Sequence, residues 1–131
     1  MVQSRVPTIL VVEDEAMVAM DLADCITDAG YLVLGPFDTL TEALRIGAGA
    51  EFDAALLDAN LRGEKVDELA AALSKRDIPF AFVTGYGRET LSAPFRHVPL
   101  VAKPYTHDHL KEVLRTLLSA KSVPPRKPPD S

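Results

Sequence analysis

The sequence predicts an α/β fold, a doubly wound sheet of five parallel strands with crossover helices on both faces. Three observations predict it. Apolar, strand-like runs alternate with helix-period segments five times along the chain. The runs are nearly continuous in apolar residues, as strands covered on both faces are, and do not alternate apolar with polar. The chain has 131 residues, 47% hydrophobic and 25% charged. That is enough to bury one core and too short for a second folded domain.

Thr8-Ile9-Leu10-Val11-Val12 is the first strand, β-branched at every position but Leu10. Val18, Leu22, Cys25, Ile26 and Ala29 then fall on one helical face, with Asp21, Asp24 and Asp28 opposite and Gly30 as the stop. Tyr31-Leu32-Val33-Leu34 is the second strand. Thr39 and Glu42 have capping-box spacing for a second helix carrying Leu40 and Leu44. Ala54-Ala55-Leu56-Leu57 is the third strand, and Val66, Leu69, Ala70 and Leu73 mark the third helix. Phe80-Ala81-Phe82-Val83 is the fourth strand, followed by a short, weak fourth helix over Arg88–Ser92 that Pro94 ends. Val98 to Ala102 is the fifth strand, with Pro99 suiting an edge. Leu110, Val113, Leu114, Leu117 and Leu118 mark a strong fifth helix capped by Thr106. The folded unit is expected over residues 6–120. Residues 121–131 hold four of the ten prolines and are expected to be a disordered, proline-rich tail.

Charge and composition narrow the function. Lys and Arg total 14 against 19 Asp and Glu, a formal net charge of −5. Basic residues adjoin only in the pairs Lys75-Arg76 and Arg126-Lys127, the second in the tail, so the chain is not expected to bind nucleic acid. The apolar runs are a few residues long, far short of the roughly 20 of a membrane span, so no membrane partner is expected. Met1 to Pro7 lacks the apolar core of a signal peptide. A cytoplasmic protein is expected, with its lone Cys25 reduced and in the core of the first helix. His97, His107 and His109 lack metal-ligand spacing with the carboxylates and are expected on the surface.

In a doubly wound sheet, ligands bind beyond the carboxyl ends of the strands. The first strand ends in Glu13-Asp14, the third in Asp58, the fourth in Thr84-Gly85 and the fifth in Lys103-Pro104. Each, taken singly, has an ordinary explanation as a helix start, a cap, a turn or a solvated lysine. Together they bring three carboxylates, a hydroxyl and an ammonium to one edge. Crowded carboxylates resist joint ionisation, and a hard divalent cation such as Mg²⁺ relieves them. Lys103 and Thr84 supply a cation and a donor for phosphoryl oxygens, and Gly85 leaves room for an incoming group. One carboxylate remains as a nucleophile that can form an aspartyl phosphate.

Over Val6 to Ala120 the chain resembles a two-component response-regulator receiver domain. The motifs are Val11-Val12-Glu13-Asp14, Leu56-Leu57-Asp58, Val83-Thr84-Gly85 and Ala102-Lys103-Pro104. The resemblance implies a flavodoxin-like (βα)5 fold with strand order 2-1-3-4-5. It implies Asp58 as phosphoacceptor, Asp14 as a direct Mg²⁺ ligand, Glu13 as a ligand through water, and the Asn60 carbonyl as a further ligand. It implies Thr84 and Lys103 on the phosphoryl oxygens and a cis Lys103–Pro104 peptide. A histidine kinase, a histidine phosphotransfer protein or a small phosphodonor would supply the phosphoryl group. A homodimer through the face of the fourth helix, fifth strand and fifth helix is a further implication.

One position departs from the pattern. Receivers usually carry Tyr or Phe three residues before the lysine, as a switch that turns inward; here that residue is Leu100. Phe82-Val83-Thr84-Gly85-Tyr86-Gly87 instead resembles the receiver subgroup named for a Phe-Ala-Thr-Gly-hydrophobic-Tyr motif, many of them stand-alone. Thr84, Tyr86 and Leu100 are therefore the candidate switch residues, with the signal leaving through the 85–87 loop. The expected function is a phosphorylation-dependent signalling switch, not an enzyme, acting through a downstream protein. Two alternatives stand beside it. One is a receiver cut from a larger regulator or hybrid kinase. The other is an aspartyl-nucleophile hydrolase, although such enzymes carry a second Asp two residues after the nucleophile, where this chain has Asn60.

Overall fold

A computed structural model describes residues 6–122. Five strands form one parallel sheet: β1 (Thr8–Val12), β2 (Leu32–Phe37), β3 (Ala54–Leu57), β6 (Phe80–Thr84) and β7 (Leu100–Ala102). Their spatial order is β2-β1-β3-β6-β7. The intervening β4 (Asn60–Leu61) and β5 (Glu64–Lys65) form a separate antiparallel hairpin, so the order among the main strands is the expected 2-1-3-4-5.

Side-chain alternation along the strands builds two cores. Leu10, Val12, Ala55, Leu57, Phe80 and Phe82 face one side, where α2 (Leu40–Gly49) and α3 (Asp67–Lys75) add Ala43, Leu69 and Leu73. Ile9, Val11, Ala54, Leu56, Ala81, Val83 and Val101 face the other. There α1 (Ala16–Asp28) adds Leu22, Cys25 and Ile26, and α4 (His107–Ser122) adds Leu110, Leu114 and Leu117. With both faces covered, the strands carry apolar residues throughout. Local chemistry sets the helix starts. Thr39 Oγ1 accepts the Glu42 N–H at 3.3 Å, and Thr106 Oγ1 accepts the His109 N–H at 3.1 Å.

The structure corrects the fourth helix. Arg88–Ser92 is not an α-helix; two 3₁₀ turns, Arg88–Thr90 and Ala93–Phe95, stand in its place. Arg88 Nη1 donates to the Arg96 and Val98 carbonyls at 2.7 and 2.6 Å, Arg96 Nε donates to the Leu91 carbonyl, and Ser92 Oγ donates to Asp67. Two arginine side chains thus satisfy the Leu91, Arg96 and Val98 carbonyls of a segment that is not α-helical. Phe95 supplies burial by packing edge-on against Phe80 and Phe82, with ring centroids 6.3 and 6.4 Å away. The dimer face expected from the family pattern therefore lacks its helix.

Three boundaries also move. Val98 accepts Arg88 instead of joining the sheet, so β7 begins at Leu100. β2 runs past Leu34 through Gly35-Pro36, where the register with β1 shifts and the Gly35–Pro36 peptide is cis. Gly35 has φ +107°, and a Cβ there would stand 2.8 Å from the Val11 carbonyl oxygen, so glycine is required. The β4–β5 turn places Arg62 and Gly63 at φ +51° and +82°, the geometry of a tight hairpin. Lys103–Pro104 is cis, as expected. α4 reaches Ser122, and the rest of the proline-rich tail lies outside the described residues.

Candidate functional site

The carboxyl edge of the sheet gathers every residue expected there. Glu13 and Asp14 follow β1, Asp58 follows β3, Thr84 ends β6 and Lys103 follows β7. Glu13, Asp14 and Asp58 each offer an oxygen within 4.8 Å of the others. Glu13, Asp58 and Thr84 are buried, while Asp14 and Lys103 are partly exposed. Above them a cavity of about 760 Å³ opens to solvent, lined among others by Asp14, Asp58, Asn60, Thr84, Tyr86 and Lys103.

Backbone groups orient the carboxylates. Asp58 Oδ1 accepts the Asn60 N–H at 3.1 Å, and Asp14 Oδ2 accepts the Arg62 N–H at 2.9 Å. Arg62 is held in turn by Asp38, through its backbone carbonyl at 2.8 Å and its side chain at 2.9 Å. The hairpin is therefore the device that presents two amides to the site. Thr84 Oγ1 accepts the Tyr86 N–H at 3.2 Å. Gly85 faces open space, and a Cβ there would meet nothing within 4 Å, so room for an incoming group does not depend on glycine.

Lys103 is the cation among these acids. Its Nζ lies 2.9 Å from Glu15, 3.2 Å from Glu13 Oε1 and 3.7 Å from Asp58. Burial works against the ammonium, but the Glu15 hydrogen bond and the Asp58 and Glu13 charges hold its pKa above the ordinary value. Burial raises Asp58, against the Asn60 amide and Lys103. Glu13 is pushed up to about 7, chiefly by burial and with help from Asp58, against the Glu15 amide and Lys103.

This donor set suits a hard divalent cation. Glu13 Oε1 is buried and accepts no hydrogen bond, its 3.2 Å approach to Lys103 being an ion pair only, and its two neighbouring carboxylates offer oxygen. Oxygen-only donors beside a solvent-open cavity fit Mg²⁺, which keeps several waters. Glu13, Asp14 and Asp58 could hold it, with the Asn60 backbone at the rim.

The candidate switch residues are less convergent. Tyr86 is 62% exposed and lines both this cavity and a smaller one of about 220 Å³ beside Phe82, Leu91 and Ser92. Leu100 is half-buried and pairs with Phe82 across the sheet. Glu15 and Arg62 were not among the expected site residues. Glu15 was legible as the third acid of a Glu-Asp-Glu run; Arg62 required the hairpin. His97, His107 and His109 are exposed, and His107 Nε2 lies 2.9 Å from Asp21. Cys25 is buried, as expected.

A doubly wound sheet carrying an acidic pocket, a threonine and a cis Lys-Pro at its carboxyl edge defines a receiver. The chain belongs to the response regulator receiver domain family, whose model matches residues 9–115. It is 42% identical to SdrG from Sphingomonas melonis Fr1, with a TM-score of 0.76, covering 88% of this chain and 99% of that one. It is 27% identical to the receiver domain of Erythrobacter litoralis PhyR, with a TM-score of 0.78, covering 91% and 95%. Among curated proteins it is 30% identical to the phyllosphere-induced regulator PhyR of Methylorubrum extorquens, covering 84% of this chain and 43% of that one. It is 26% identical to the transcriptional regulatory protein PdtaR of Mycobacterium tuberculosis, covering 85% and 56%. The chain thus spans about half the length of these curated relatives. Among the described residues, no helix is long and apolar enough to cross a membrane.

Proposed function

We propose that this receiver is a cytoplasmic signalling switch that takes a phosphoryl group on Asp58 from a histidine kinase or histidine phosphotransfer protein. The observation that carries the reading is the meeting of Glu13, Asp14 and Asp58 within 4.8 Å, with Lys103 and Thr84 on the same edge. An Asp58 oxygen attacks phosphorus, the phosphorus–nitrogen bond to the donor imidazole breaks, and that nitrogen keeps the electron pair. The product is an acyl phosphate. Asp14, Asp58 and the Asn60 carbonyl would hold Mg²⁺, with Glu13 holding it through water, and the bound ion would supply charge neutralisation for the transferring group. Lys103 and the Thr84 hydroxyl then engage phosphoryl oxygens. Their differential contacts favour the active conformation; moving such an equilibrium from mostly off to mostly on takes about 5.5 kcal/mol.

The likeness of Phe82-Val83-Thr84-Gly85-Tyr86-Gly87 to a receiver subgroup with many stand-alone members supports a stand-alone switch that acts on a partner protein. A structure of SdrG from Pseudomonas melonis Fr1 in its BeF3-activated conformation is 39% identical to this chain, which supports an activatable site here. Labelling with radioactive acetyl phosphate and Mg²⁺ tests the reading. Acid-labile phosphate should appear on the wild type and vanish in Asp58→Ala or in excess chelator. Undiminished labelling of Asp58→Ala would sink it, and multiple turnover of a phosphomonoester would favour the hydrolase alternative.

A further inference from the structure

Glu15 has no part in the proposed chemistry, yet it makes the shortest contact of Lys103. Its Oε1 lies 2.9 Å from Nζ, against 3.2 Å for Glu13 and 3.7 Å for Asp58. Glu15 sits at the N-cap of α1, and its backbone N–H is fixed by Glu13 Oε2 at 3.1 Å. Its side chain is 62% exposed, so it reaches Lys103 from the solvent side while Glu13 and Asp58 reach it from within. Glu15 and Lys103 also line two cavities at once. One contains Asp58 and Thr84; the other is a groove lined by Met17, Val18, Asp21, Pro104 and Tyr105. The ion pair is the wall between them.

We propose that Glu15 is a positioning residue that holds Lys103 back from the phosphoryl group, so that phosphorylation must take the ammonium from a competing carboxylate. The proposal rests on the reading that Asp58 receives the phosphoryl group. Two physical effects share one sign. A phosphoryl group at Asp58 adds anionic oxygens that Lys103 must turn toward, weakening its bond to Glu15. The Glu15 charge, at the mouth of the same cavity, repels those oxygens. Both effects make Glu15 favour the unphosphorylated state. They also alter the rim of the α1 groove when Lys103 moves, because that rim is built from the same pair.

The experiment uses beryllium fluoride, whose BeF3⁻ unit has the shape and charge of a phosphoryl group, titrated at saturating Mg²⁺ and followed by amide NMR shifts. Glu15→Gln keeps the size and removes the charge, and an exposed pair is worth little enough that the gain should be about two- to fivefold in affinity. Glu15→Asp keeps the charge but cannot span to Nζ as readily, and should fall between. Raising salt should shrink the difference. Mg²⁺ alone should bind Glu15→Gln no more tightly than wild type, since a negative charge near the metal has been removed. Opposite responses to cation and anion are beyond a general loosening of the fold. Equal or weaker BeF3⁻ binding by Glu15→Gln overturns the proposal. Failure of the wild type to bind BeF3⁻ at all overturns the phosphoacceptor reading instead.

Discussion

Glu13→Gln is expected to stabilise the metal-free protein at pH 8 and to leave it nearly unchanged at pH 4.5. The Glu13 side chain is wholly buried, and burial with Asp58 beside it pushes its carboxyl from 4.5 to about 7. Between those values the folded protein holds a proton that the unfolded chain has released. Stability is therefore greatest at or below about pH 4.5, as far as this group is concerned, and falls as pH rises toward 7. The rise from 4.5 to about 7 sets a ceiling of about 3 kcal/mol. Relaxation of the neighbouring charged groups around the buried carboxylate leaves about 1–2 kcal/mol of that ceiling. Gln stands in for the protonated acid and escapes that loss. With a urea slope of roughly 1–3 kcal/mol/M, the midpoint should rise by about 1 M at pH 8 in chelator. Saturating Mg²⁺ should stabilise the wild type more than the variant, because binding to the folded state adds its own free energy. A variant no more stable than wild type at pH 8, or equally advantaged at pH 4.5, would refute the reasoning.

Gly35→Ala should destabilise the fold by about 2–4 kcal/mol, read as a lower urea midpoint, because a Cβ at φ +107° meets the Val11 carbonyl and Phe37. Cys25 is fully buried and burial raises its thiol pKa, so a thiol reagent at pH 8 should label it only at the rate of opening; fast labelling of the native protein would show an exposed sulfur. Tyr86→Ala should change phosphoryl lifetime or partner binding, and Leu100→Tyr should not restore the lost function. If Tyr86→Ala alters neither, the proposed exit through the 85–87 loop is wrong.

Much of this was legible because one pattern carried two messages. The apolar runs gave the strands, and the residue closing each run gave the site, since a parallel sheet brings all its strand ends to one edge. Glu13, Asp14, Asp58, Thr84 and Lys103 needed no long-range information beyond that topology. Asn60, Arg62 and Gly63 differ. A two-residue strand on each side of a tight turn has too few residues for a period, and Arg-Gly is a weaker hairpin signal than Asn-Gly. The extension of β2 was hidden for a related reason. Gly35-Pro36 reads as a breaker, yet at a sheet edge a bulge accommodates a residue without an amide proton.

The missing fourth helix and the missing aromatic at position 100 have one structural context. In the layer facing α2 and α3, Leu100 pairs with Phe82, and Phe95 from the second 3₁₀ turn packs edge-on against Phe82 and Phe80. A larger ring at 100 would have to find volume beside that triad in a close-packed layer. Open volume does border Phe82, in the 220 Å³ cavity that Tyr86 lines with Leu91 and Ser92. Tyr86 is therefore the aromatic with both an exposed starting position and an adjacent space to enter, and its amide already bonds Thr84 Oγ1. A threonine hydroxyl drawn toward a phosphoryl group at Asp58 donates its proton while Oγ1 still accepts from Tyr86, so a shift of Oγ1 pulls on the Tyr86 amide. The consequence is felt first in Tyr86 and then along a segment held to α3 by Ser92 and Asp67. The proposed signal thus has a physical carrier that does not require residue 100 to turn.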